Sequence, residues 1–171
     1  MSIKPKDLPK KSLDLNSELK LFQIYKKLKN VSLKSDTYFH VYEELFSKYV
    51  GKEITFVEVG VLHGGSLYMW KEYFGKNTRI IGVDLNPSAK DLEKDGFEIF
   101  IGSQSDENFW RKFYAEVGKI DILLDDGGHE NNQQIVTLSE AIPNINDEGL
   151  VVVEDTHTSY FNKFGNPSKY S

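Results

Sequence analysis

Between residues 54 and 154, five short apolar runs alternate with segments of helical pattern, and acids stand at or near the ends of four of them. The runs are Ile54–Val59, Arg79–Asp84, Phe97–Ile101, Ile120–Asp125 and Leu150–Glu154. Between them, Ser66–Phe74, Asp91–Lys94, Asp106–Val117 and Asn131–Ile142 read as helices, the last with Ile135, Leu138 and Ile142 on its apolar side. Strands that alternate with helices imply an α/β fold, a Rossmann-like doubly wound and mostly parallel sheet with helices on both faces. Continuous apolar strands such as Leu150–Val153 read as buried on both sides. Ligands of such sheets bind outside the carboxyl ends of the strands. Glu58, Asp84, Asp125, Asp126, Glu154 and Asp155 all fall there, so their convergence on one crevice is expected.

Before the first run the grammar differs. Residues 1–14 read as irregular. Ser17–Lys29 carries Leu19, Phe22, Ile24, Tyr25 and Leu28 at roughly helical spacing. A second helix is expected from Ser35 or Asp36 to Tyr49, with Val41, Leu45 and Phe46 on its apolar face and Gly51 as a stop. The chain thus divides into an N-terminal helical extension, 1–50, and a core, 51–171. The tail from Phe161 has no strand pattern, and a sheet of this kind normally continues, so a C-terminally shortened core is expected.

Composition sets outer bounds. A chain of 171 residues suits one sizeable core. It has no cysteine, which excludes disulfides and thiolate metal sites. No apolar run nears the roughly 20 residues of a membrane span, and no signal-peptide pattern opens the chain. A cytoplasmic protein is the expectation. Residues 1–34 hold nine lysines against three acids, whereas residues 35–171 hold 12 basic and 23 acidic residues. The leader reads as a solvated helical extension, and the acidic body disfavours nucleic acid and membrane partners.

The turn Gly60–Gly65 sits between a strand and a helix, where glycines let a ligand approach the backbone and the helix N-terminus. It is not the G-x-G-x-x-G dinucleotide fingerprint. Asp84 closes the second strand, where a carboxylate can accept bonds from both hydroxyls of a ribose. Gln104, Ser105 and Asp106 follow the third strand near the place of an adenine, although Ser105 or Asp106 serves equally well as a helix cap.

Asp126, Glu154 and Asp155 would meet at the ends of neighbouring strands four and five, and three unpaired carboxylates there would repel one another. A hard divalent cation resolves the conflict, and an oxygen-only set favours Mg2+, Mn2+ or Ca2+ over zinc. His129 follows Asp126 by three residues on a Gly127-Gly128 loop, and an imidazole suits a general base near neutrality.

These motifs resemble the class I S-adenosylmethionine-dependent methyltransferases, and among them the metal-dependent macrolide sugar O-methyltransferases and the cephalosporin hydroxylase family. The resemblance covers about residues 54–160. It implies that Glu58, Gly60 and Gly64 line the methionine part of S-adenosylmethionine, that Asp84 holds its ribose, and that Gln104, Ser105 or Asp106 lies near its adenine. It selects Asp126 over Asp125 as a metal ligand with Glu154 and Asp155, and it makes His129 the base, with Asp126 beside it. Catechol-type relatives carry Lys where His129 stands, which argues against a catechol acceptor. The implied activity is divalent-metal-assisted O-methylation, with Mg2+ or Mn2+, of a sugar or other vicinal-hydroxyl small molecule; a homo-oligomer stays open. The alternatives are a hydroxylase-associated or non-catalytic S-adenosylmethionine-binding subunit, and an NAD-linked reductase. The last lacks its glycine fingerprint and a Tyr-x-x-x-Lys after the later strands. His40, His63 and His157 read as structural at least as readily as functional.

Overall fold

The computed structural model describes residues 18–30 and 32–165. The expectations for residues 1–14 and for the tail beyond 165 lie outside the described residues. Five strands, β1 (Thr55–Val59), β2 (Arg79–Asp84), β3 (Glu98–Ile101), β4 (Ile120–Asp125) and β5 (Ile145–Val153), form one sheet in the order β3-β2-β1-β4-β5. Every pairing is parallel. The order reverses between β1 and β4, which opens a crevice at their carboxyl ends.

Side chains alternate across the strands and feed two cores. On one face Phe56, Ile80, Ile122 and Leu124 pack with α1 (Lys20–Tyr25), α2 (Tyr38–Phe46) and α3 (Gly65–Phe74). On the other, Val57, Val59, Ile81, Val83 and Leu123 meet Trp110 and Phe113 of α4 (Glu107–Val117) and Ala141 of α5 (Asn131–Ala141). The first core is unusually aromatic. Trp70 lies against Tyr42, Phe46, Phe56 and Phe74, with ring centroids 5.2–5.9 Å apart. The N-terminal helices are therefore part of the same hydrophobic body as the sheet.

Several expectations shift in detail. The first helix is shorter than Ser17–Lys29, running only from Lys20 to Tyr25. In α2 the buried face is Phe39, Tyr42 and Phe46, and Val41 is exposed, because the aromatic rings dock on Trp70 and set the phase. In α5 the buried positions are Asn131, Gln134, Thr137 and Ala141, whereas Ile135 and Ile142 face out. That polar face hydrogen-bonds loops at the crevice: Asn131 Nδ2 donates to the Gly165 carbonyl at 2.6 Å and Gln134 Nε2 to the Glu154 carbonyl at 3.3 Å. Leu150–Val153, expected to be buried on both sides, is half-buried, because among the described residues β5 pairs on one side only. The short helix expected over Asp91–Lys94 is present as a 3-10 helix, Pro87–Asp95. Among the described residues no helix is long and apolar enough to cross a membrane.

Phe56 sits at the centre of the aromatic core, so Phe56→Ala should lower unfolding free energy by about 3–5 kcal/mol. Ile142, 65% exposed, should tolerate alanine within about 0.5 kcal/mol. Urea unfolding of the two variants measures both.

Candidate functional site

The crevice holds a cavity of about 630 Å³ whose wall includes Gly60, Asp84, Gln104, Asp126, His129 and Asp155. Its floor is the carboxyl edge of β1 and β4. Gly60 has φ +83°, and a Cβ there would collide with the Asp126 carbonyl; only glycine lets the loops after β1 and β4 touch. Gly64 caps α3 with φ +78° and presses on the Leu92 side chain.

Asp84 fixes the first loop. Its Oδ2 accepts the Val61 and Leu62 amides at 2.9 and 3.3 Å, and its Oδ1 accepts the Asn86 amide at 2.8 Å. Three of the four lone-pair sites are thus taken, and Oδ1 keeps one for a donor from the cavity. Glu58 takes a different place from the one expected for a cavity-lining residue. It is fully buried, and its carboxylate accepts from Lys34 Nζ at 3.1 Å, Ser66 Oγ at 2.6 Å and Trp70 Nε1 at 3.3 Å. It is absent from the cavity wall.

After β3, Ser103 and Gln104 reach the cavity, whereas Ser105 and Asp106 do not. Asp106 is the N-cap of α4 and accepts the Asn108 amide at 2.8 Å. Gln104 works as a splice. Its amide nitrogen donates to both oxygens of Asp125 at 3.0 and 3.1 Å, and its oxygen accepts the Gly128 amide at 2.8 Å. Asp125 is buried, which pushes its carboxyl pKa up against the pull of those donors. It therefore shapes the Gly127-Gly128 loop from beneath, and Asp126 is the one at the cavity wall.

The acids of β1, β4 and β5 do converge, and the cation between them is a side chain. Lys34 Nζ lies 3.1 Å from Glu58, 2.6 Å from Asp126 and 2.8 Å from Glu154. Burial alone would depress its pKa; the three carboxylates, Glu58 foremost, outweigh that and hold it above the ordinary lysine value. Glu154 also accepts a short hydrogen bond from Tyr42, and burial lifts its carboxyl to about 7. Tyr38 donates to Asp155 Oδ1 at 2.6 Å, and burial with that bond pushes the phenol up to about 12. Tyr38 and Tyr42 stand four residues apart on one face of α2, an aromatic pair aimed at consecutive acids.

In front of this buried set, Asp126, His129 and Asp155 each offer one ligand atom, all within 4.8 Å of one another. His129 Nε2 is 3.8 Å from Asp126 Oδ1 and 3.5 Å from Asp155 Oδ2. Its Nδ1 is buried with no partner among the described residues. His129 and Asp155 both hold left-handed backbone, φ 57° and 52°, a strained state for residues other than glycine that clusters at working sites. The two carboxylates are hard oxygen donors of the kind that suit Mg2+ or Mn2+, and the imidazole stands beside them. Glu154 is behind this trio, engaged by Lys34 and Tyr42. His63 is exposed at the cavity wall, His40 is exposed on α2, and His157 Nδ1 lies 3.9 Å from Asp155.

Gln104→Leu would leave the Asp125 carboxylate buried without its side-chain donors. The expected loss is about 2–3 kcal/mol in chemical denaturation, and a loss below about 0.5 kcal/mol would refute the splice.

A family model described as a methyltransferase domain matches residues 57–156. The chain is 36% identical over 135 residues to the 8-demethyl-8-alpha-L-rhamnosyl tetracenomycin-C 2'-O-methyltransferase of Streptomyces olivaceus, covering 75% of the chain and 35% of that protein. It is 31% identical over 134 residues to the demethylmacrocin O-methyltransferase of Streptomyces fradiae, covering 74% and 33%. Among solved structures, the MycE methyltransferase of the mycinamycin biosynthetic pathway, in complex with Mg, SAH and mycinamycin VI, superposes with a TM-score of 0.74 at 27% identity, covering 88% of the chain and 43% of that structure. The chain thus spans about a third of the length of these curated relatives. The strand order, the glycine turn beneath the crevice and a match across all five strands lead to one assignment: the chain belongs to the methyltransferase-domain family.

Proposed function

We propose that the chain carries the donor and cation sites of an S-adenosylmethionine-dependent, divalent-metal-assisted O-methyltransferase whose acceptor is a sugar or other vicinal-hydroxyl small molecule. The observation that carries the reading is that Asp126, His129 and Asp155 face the same cavity as Gly60 and Asp84. The named relatives, sugar-glycoside O-methyltransferases among them, support the acceptor class.

Residues 51–171 supply the donor and cation positions, and 1–50 supply tyrosines and a lysine that hold them. Asp84 receives a ribose hydroxyl on the spare lone pair of Oδ1, while the cavity-lining Leu62 and Leu85, both exposed, give an apolar wall for the nucleoside. Gly60 keeps the backbone close to the methionine moiety. Gln104 is the better of the three adenine candidates, since Ser105 and Asp106 stand away from the cavity. Asp126 and Asp155 hold the metal, with Glu154 bracing them from behind. Bound there, the donor supplies a methyl on cationic sulfur and the metal acidifies an acceptor hydroxyl. His129 Nε2, which faces the cavity, would accept the proton of that hydroxyl. Tyr38 keeps Asp155 turned toward His129. Positioning and charge stabilisation supply most of the rate.

S-adenosylhomocysteine at 100 times its dissociation constant should stabilise the protein by roughly 2.7 kcal/mol, and NADH should not. His129→Ala should lower magnesium-dependent methyl transfer to a glycoside panel by roughly 10²–10⁴-fold and leave S-adenosylhomocysteine binding intact. Asp155→Asn should weaken Mn2+ binding read by calorimetry. Stabilisation by NADH in place of S-adenosylhomocysteine, or unchanged turnover in the His129 variant, would remove this reading.

A further inference from the structure

Residues 32–35 lie within the connection from α1 to α2 and begin beside the cavity. Ser32 and Leu33 are on its wall. Leu33 is 74% exposed, an apolar side chain turned to open space beside the crevice. Ser32 Oγ is buried with no partner among the described residues. Within this stretch the backbone makes few ties. The Ser32 carbonyl accepts from Tyr25 Oη at 3.1 Å and the Ser35 carbonyl accepts the Tyr38 amide at 3.0 Å, both from the helices on either side. The polar ties from 32–35 to the sheet all run through one atom, Lys34 Nζ. It meets acids at the ends of β1, β4 and β5, three strands adjacent in the sheet.

We propose that Lys34 is a positioning residue for the methyl donor: its ammonium docks 32–35 on the carboxyl edge of the sheet, so that Ser32 and Leu33 close one wall of the donor cavity. This rests on the donor reading above. The lysine side chain is 1% exposed and is itself absent from the cavity wall. It acts through its two predecessors. A wall held in place before the ligand arrives spares the ordering cost at binding, which is how a residue without ligand contact strengthens affinity. Leu33, otherwise exposed, would be covered by the bound nucleoside.

The test is calorimetric titration with S-adenosylhomocysteine, joined to amide NMR on the 19.6 kDa protein. In the wild type the ligand should bind and shift the Leu33 amide resonance. In Lys34→Met, affinity should fall by roughly tenfold or more. The 33–35 resonances should move to random-coil positions while those of Ile81 and Leu123 stay native, a pattern that general destabilisation does not produce. Should Lys34→Met fail to fold, Lys34→Met with Glu58→Gln removes one cation and one anion together, and the same affinity loss should appear against Glu58→Gln alone. Unchanged affinity in a folded variant, or a Leu33 resonance blind to the ligand, overturns the role of Lys34 alone. No binding by the wild type overturns the donor reading, and this inference with it.

Discussion

Burying Glu58 and Glu154 beside a partly exposed Asp126 costs free energy twice, in lost hydration and in mutual repulsion. The Lys34 ammonium offsets both, with one nitrogen within 3.1 Å of all three carboxylates. Its own desolvation is repaid only because the three anions surround it. Removing one partner of such a buried set costs about 3–5 kcal/mol, since the remainder is left uncompensated. Much of the carboxyl edge follows from this contact. It orients one oxygen of Asp126 inward and leaves the other toward His129. It keeps Glu154 behind Asp155. It also draws the chain ahead of α2 across the sheet, which sets Tyr38 and Tyr42 over consecutive acids.

The sheet and the order of its parts were legible because parallel strands advertise themselves. Arg79–Asp84 and Ile120–Asp125 have the bounds that their apolar runs imply, and the adjacency of β4 and β5 follows from a single crossover helix. The crevice was legible for the same reason, with acids at strand ends. Lys34 was not. In the sequence it is one of nine lysines in a basic leader, and nothing local separates it from the other eight. The one usable signal was arithmetic: the acids expected in a small volume needed a positive charge, and a side chain supplies that charge as a metal does. The helix faces failed where polar or aromatic contacts overrode hydrophobic phase. Gln134 and Thr137 face inward on α5 because they tie loops together, while Ile135 and Ile142 face water. Glu58 looked like a ligand-facing acid, yet β1 aims it into the aromatic core toward Trp70 and Ser66.

The strained backbone at His129 and Asp155 has a common support. Thr158, buried, ties both: its hydroxyl donates to the His129 carbonyl at 2.8 Å and its backbone amide donates to the Asp155 carbonyl at 3.1 Å. Residues in left-handed conformation persist when their surroundings over-determine them. Here the determinant is shared, so the two loops at the ends of β4 and β5 are fastened at one rivet. A displacement of either loop would therefore pull the other, and the 3.5 Å separation of His129 Nε2 from Asp155 Oδ2 would be kept.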